Sequence, residues 1–168
     1  MDQVAGEETR FVGLGIPRSP TAGDARKVAA MRDTQKTILV VDDDDDMRTL
    51  ISVVVRRKGY AVVTAANGLE GLAKLESPAK IDLAIFDVTM PVLDGLEAVR
   101  RLRAGGHADL PVILLTAHRT GADVLRGYES GSDYYLSKPF EAQGLLNIVD
   151  YLIGDLTPDE RARLEAAI

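Results

Sequence analysis

The chain has no cysteine in 168 residues, which excludes disulfides and thiolate metal sites and fits a cytosolic protein. It has only two histidines, His107 and His118, too far apart to supply paired metal ligands. No apolar run approaches the length needed to cross a bilayer, and the N-terminus lacks the basic head and apolar middle of a signal peptide. Membrane insertion is therefore not expected. Positive charge is in deficit: 20 Lys and Arg against 26 Asp and Glu leave a net charge of -6, which disfavours non-specific nucleic-acid binding. Much of that excess is local, in the run Asp42-Asp43-Asp44-Asp45-Asp46. The remaining composition, 46% hydrophobic and 27% charged, suits one soluble domain with a full core.

Residues 1–36 mix both charge signs, carry Gly13, Gly15, Pro17, Pro20 and Gly23, and show no sustained apolar period. They read as a disordered extension with a short helix over Ala25 to Met31, and Met31 can serve as an alternative start. From Thr37 the pattern becomes regular. Ile38 to Val41, Tyr60 to Ala65, Ile81 to Phe86, Val112 to Leu115 and Tyr134 to Leu136 read as strands. Helices are predicted over Asp44 to Lys58, ended by Gly59, from Asn67 to before Pro78, from Asp94 to Gly105, over Gly121 to Ser130, and over Glu141 to Ile153. Alternation of strand and helix with short connections implies an α/β fold with a doubly wound parallel sheet.

Sites in such sheets form beyond the carboxyl ends of the strands, which gathers Asp42, Asp43, Asp87, Thr116 and Lys138 on one edge. Clustered carboxylates repel unless a cation intervenes, and an all-oxygen set suits Mg²⁺. With a cation present Asp87 can stay ionised as a nucleophile towards a phosphoryl group, and Lys138 can neutralise the incoming anion. Taken singly the residues have blander readings. Asp42 and Asp43 could cap the next helix, Thr116 could be a backbone-satisfied hydroxyl, and Tyr135 a half-buried core aromatic. Asp44 to Asp46 read as capping and solvated charge.

Together, Ile38-Leu39-Val40-Val41-Asp42-Asp43, Asp87-Val88-Thr89-Met90-Pro91 with Asp94-Gly95, Leu115-Thr116-Ala117 and Tyr135-Leu136-Ser137-Lys138-Pro139-Phe140 resemble the receiver domain of bacterial two-component response regulators. The resemblance covers about residues 37–153, leaving a receiver unit over 37–154 and a tail over 155–168 with helical potential. It implies a flavodoxin-like five-stranded sheet in the order 2-1-3-4-5 with five helices. It implies Asp87 as phosphoacceptor and Mg²⁺ held by Asp43, by Asp42 through water, by Asp87 and by the backbone carbonyl of Thr89. Lys138 would be the partner lysine, with a cis bond before Pro139. Thr116 and Tyr135 would form a switch pair, and Thr89 and His118 would tune dephosphorylation.

On that resemblance the chain is expected to be a cytoplasmic signalling switch rather than an enzyme. Its donor would be a histidine kinase or phosphotransfer protein. Its unknown downstream partner would bind near Leu125, Tyr135 and the last main helix, and slow autodephosphorylation would reset it. No direct DNA binding and no output domain after Ile153 are expected. The Glu141 to Ile153 helix carries no Lys or Arg for one familiar dimer mode, while other phosphorylation-dependent homodimers stay open. Two alternatives compete: a phosphorylation-independent scaffold, and an aspartate-based phosphatase, which would need an acid where Thr89 stands. An FMN-binding reading fails on the aspartates after the first strand, which would repel a phosphate. In the tail, Thr157-Pro158-Asp159-Glu160 reads as a capping box opening a short, weakly packed helix.

Overall fold

The apolar runs ending at Val41, Phe86 and Leu115 are buried throughout, because each lies between two neighbouring strands and beneath helices on both faces. In this computed structural model residues 35–117 and 121–168 are described. Strands β1 (Thr37–Val41), β2 (Ala61–Ala65), β3 (Leu83–Asp87), β4 (Val112–Thr116) and β5 (Tyr134–Ser137) form one all-parallel sheet, ordered β2-β1-β3-β4-β5. Helices α1 (Asp45–Arg57), α2 (Gly68–Leu75), α3 (Gly95–Ala104), α4 (Gly121–Glu129) and α5 (Ala142–Ile153) alternate with the strands. A sixth helix, α6 (Pro158–Glu165), extends the five expected of the alternating unit. It forms because both halves of the Thr157/Glu160 capping box are made and Pro158 occupies the first turn. The helix expected over Ala25 to Met31 lies outside the described residues.

Period-two alternation splits the core in two. Leu39, Val41, Ala84, Phe86, Val112 and Leu114 pack against α2 and α3. Ile38, Val40, Leu83, Ile85, Ile113 and Leu115 pack against α1 and α5. The edge strands β2 and β5 are half-buried over most of their length. Asn67 and Asp94 cap α2 and α3 through their side chains, and Gly59 ends α1 at a left-handed φ of 101°. Residues 35 and 36, assigned from sequence to the extension, are tied to the sheet: the Ala61 N–H donates to the Lys36 carbonyl at 2.9 Å.

Arg103 fastens the end of the sheet opposite the strands' carboxyl termini. Its guanidinium donates to the carbonyls of Gly131, His107 and Leu110 and to the carboxylate of Asp133, which also accepts the Val112 N–H at 2.8 Å. Its planar fork reaches four acceptors on two loops, which an ammonium cannot match. Arg103→Ala is expected to cost about 2–3 kcal/mol, the scale for losing hydrogen bonds to a charged group and stranding their acceptors. Urea unfolding should show this as a lower midpoint at unchanged slope, with Arg103→Lys recovering only part.

Candidate functional site

The acid run is divided by the turn from β1 into α1. Asp44 is the N-cap, accepting from the N–H groups of Asp46 and Met47, and Asp45 and Asp46 lie exposed in the first turn. That leaves Asp42 and Asp43 at the strand end. Asp42 is buried, its Oδ1 accepting the Asp44 N–H at 2.9 Å and its carbonyl accepting from the Arg48 guanidinium at 2.6 Å. Asp43 is exposed.

The alternation that sends Ile38, Val40, Leu83, Ile85 and Leu136 to the α1/α5 side continues to Asp42, Asp87 and Lys138. Lys138 Nζ lies 2.6 Å from Asp87 Oδ1 and 2.9 Å from Asp42 Oδ2. One ammonium is thus shared by two buried carboxylates. Burial pushes the Asp87 carboxyl above the usual aspartate range, and the charge of Asp42 adds to this. Lys138 and the Thr89 N–H oppose both without cancelling them. For Lys138, burial pulls the ammonium down, but hydrogen bonds and charge from Asp87 and Asp42 raise it overall. Burial thus sets the direction at Asp87, and the two neighbouring carboxylates set it at Lys138.

Asp42, Asp43 and Asp87 each offer a carboxylate oxygen, all within 4.8 Å of one another. An all-oxygen, one-sided set of this kind fits a small hard cation such as Mg²⁺. The Thr89 N–H donates to Asp87 Oδ2 at 3.0 Å and fixes the carboxylate plane. The loop beyond it returns across Asp87 at Gly95, where a Cβ would stand 2.2 Å from the Asp87 carbonyl oxygen, so only glycine fits. Thr116 is buried at the end of β4, and its carbonyl accepts the Lys138 N–H at 2.6 Å. The Lys138–Pro139 peptide is cis. Tyr135 pairs with Leu114 across β4 and β5 and packs half-buried on the α2/α3 side, the side to which Leu114 and, by alternation, Thr116 also belong. His118 lies outside the described residues.

With this geometry in place, comparison with known proteins is specific. The family model for the response regulator receiver domain matches residues 38–150. The response regulator MprA of Mycolicibacterium vanbaalenii is 40% identical over 131 residues, covering 78% of this chain and 56% of that protein. The alkaline phosphatase synthesis transcriptional regulatory protein PhoP of Bacillus subtilis is 43% identical over 105 residues, covering 62% of this chain and 43% of its own length. The chain thus spans about half the length of the curated relatives it matches. Among solved structures, the chemotaxis protein CheY4 of Vibrio cholerae superposes with a TM-score of 0.68 at 33% identity, covering 71% of this chain and all of that one. The response regulator TrrA of Thermotoga maritima, in complex with Mg²⁺ and BeF, gives 0.64 at 36% identity, again with 71% and full coverage. The chain belongs to the response regulator receiver domain family of two-component signalling.

Two features of the site were not visible in the sequence. One is the Arg48 clamp on Asp42, for which only helical spacing gives a hint. The other is the seat for Tyr135. The Gly127 carbonyl accepts from the hydroxyls of Ser130 at 2.6 Å and Ser132 at 2.8 Å, both buried, which pins the end of α4. The Tyr135 ring then lies directly over Gly127, where a Cβ would stand 2.3 Å from Cδ2. Gly127→Ala is therefore expected to expel the ring from this position. NMR should show shifted Tyr135 ring resonances and lost contacts to residue 127, and unfolding a loss of about 1–3 kcal/mol from overpacking.

Proposed function

We propose that the protein is a phosphorylation-dependent signalling switch in which Asp87 accepts a phosphoryl group from a histidine kinase or phosphotransfer protein. The observation that carries this reading is Lys138 held between Asp87 and Asp42, 2.6 and 2.9 Å away, beside a third carboxylate. An Asp87 oxygen attacks phosphorus in line, a P–O bond forms, and the bond to the donor nitrogen breaks. Asp43 and Asp87, Asp42 through water, and the Thr89 carbonyl would hold Mg²⁺. When bound, that ion neutralises charge on the transferring group. Lys138, already poised on Asp87, transfers its ion pair to a phosphoryl oxygen, and the Thr116 hydroxyl donates to another.

Movement of Thr116 and inward rotation of Tyr135 would then remodel the face made by α4, β5 and α5, where Leu125 and Tyr128 are exposed, for a downstream partner. Thr89 and His118 flank the path of attacking water in this reading and set slow autodephosphorylation. No helix among the described residues is long and apolar enough to cross a membrane, which is compatible with the cytoplasmic location proposed. Direct DNA binding forms no part of the proposal. Nor does turnover of a substrate: Thr89 stands where an aspartate-based phosphatase would need its second acid.

Incubation with acetyl phosphate, followed by intact mass measurement, tests this. A Mg²⁺-dependent gain of one phosphoryl group, lost in Asp87→Asn, is expected. If neither acetyl phosphate nor beryllofluoride alters a chain shown to bind Mg²⁺, the switch fails and a phosphorylation-independent scaffold takes its place. Asp43→Ala should weaken Mg²⁺ binding at least tenfold, read by isothermal calorimetry, while leaving the thermal midpoint close to wild type because Asp43 is exposed.

A further inference from the structure

Helix α6 contributes no buried residue, yet it lies against a defined partner. Its polar contacts fall at Arg161 and Glu165, one turn apart on the same face, with Leu164 half-buried beside them and the main-chain oxygen of Ile168 beyond the helix end. Arg161 donates to the Tyr151 carbonyl at 2.9 Å and places its guanidinium carbon 5.3 Å from the Tyr151 ring centroid. The Tyr151 hydroxyl donates to Glu165 at 3.2 Å. On β5, the Tyr134 hydroxyl donates to the Ile168 carbonyl at 2.7 Å. Leu164 is the half-buried member of the stripe. The connection from α5 is fastened by Lys36, which pairs with Asp155 at 2.6 Å and also donates to the Ile153 carbonyl.

We infer that the edge formed by β5 and α5 is a helix-docking surface whose resident occupant is the chain's own α6, held by exchangeable polar contacts. An eight-residue helix is marginal alone, so its order depends on docking. Exposed polar contacts and single hydrogen bonds hold weakly, and Leu164, itself only half-buried, is the one apolar side chain of α6 that docking covers, so the docked and undocked states lie close in energy. A protein that reads this edge meets Tyr134 and Tyr151, half-buried with α6 in place, in full only after α6 leaves. The partner segment that fits is a short helix presenting an arginine and, four residues later, an acid. The docking itself is independent of phosphoryl transfer; only the use of this edge for read-out rests on the proposed function.

Hydrogen exchange of the full chain, without Mg²⁺ or a phosphoryl donor, tests the docking. Amides of residues 161–168 should be protected about tenfold over unstructured rates, far below those of α1. Arg161→Ala and Tyr151→Phe should each reduce that protection several-fold and leave α1 unchanged. Alanine favours a helix more than arginine, so an undocked helix would gain protection from Arg161→Ala, and that outcome overturns the inference. Protection equal to that of α5 would also overturn it, because α6 would then be a permanent part of the core. A synthetic peptide of residues 156–168 should shift the Tyr134 and Tyr151 resonances of the Arg161→Ala chain at millimolar concentration, and bind wild type several-fold more weakly. No shift in the variant refutes the surface. Loss of phosphorylation at Asp87 would leave these results untouched.

Discussion

One ammonium between two buried carboxylates organises the functional end of this protein. At an effective dielectric of about 20, like charges 4 Å apart repel by about 4 kcal/mol, and Lys138, bound to both Asp42 and Asp87, offsets that repulsion at the sheet edge. The arrangement requires three strands to end at the same level with the same parity. β1 and β3 pair directly, while β5 reaches the pair across β4, whose Thr116 carbonyl receives the Lys138 N–H. The loop after β3 must then fold back over Asp87 without crowding it, which is what Gly95 permits. Remaining negative charge is handled locally, by Arg48 on Asp45 and by the N-terminus of α1 for Asp44 to Asp46.

The elements legible in the sequence are those fixed by local chemistry. Continuous apolar runs announced the buried strands, and Asn67, Asp94 and Thr157 announced helix starts through side chains that do cap. The convergence of Asp42, Asp87 and Lys138 followed from a rule about strand ends, and they do meet. What stayed hidden depends on tertiary neighbours. Nothing in the sequence around Arg103 indicates that it reaches two loops, and Gly127 reads as an ordinary glycine in a polar helix until the Tyr135 ring is seen above it. Val92 went unread for the opposite reason. It holds a left-handed φ of 70° while its neighbours close a three-residue turn, Leu93 N–H to Pro91 carbonyl at 2.8 Å, a conformation that local preference argues against for a β-branched residue. The loop ends, fixed at Val88 and at Gly68, impose it.

The strand β5 joins the site to the surface. It has four residues and lies at an edge, and every one of them is half-buried, whereas β3 and β4 are buried without a break. Successive side chains serve opposite sides: Tyr134 faces α5 and the tail helix, Tyr135 faces Gly127 on α4, and Lys138 follows directly at the carboxylates. Four residues of strand span about 13 Å, so a shift at Lys138 would have only one short piece of backbone to cross to either tyrosine. The central strands cannot transmit such a shift without disturbing packing on two faces. An edge strand with one neighbour can, and its two tyrosines rest on seats of unlike strength. Tyr135 sits on a glycine pinned by two buried serines, a seat built from the core. Tyr134 is held at its hydroxyl by the main-chain oxygen of Ile168, past the end of a helix fastened by surface polar contacts and half-buried Leu164.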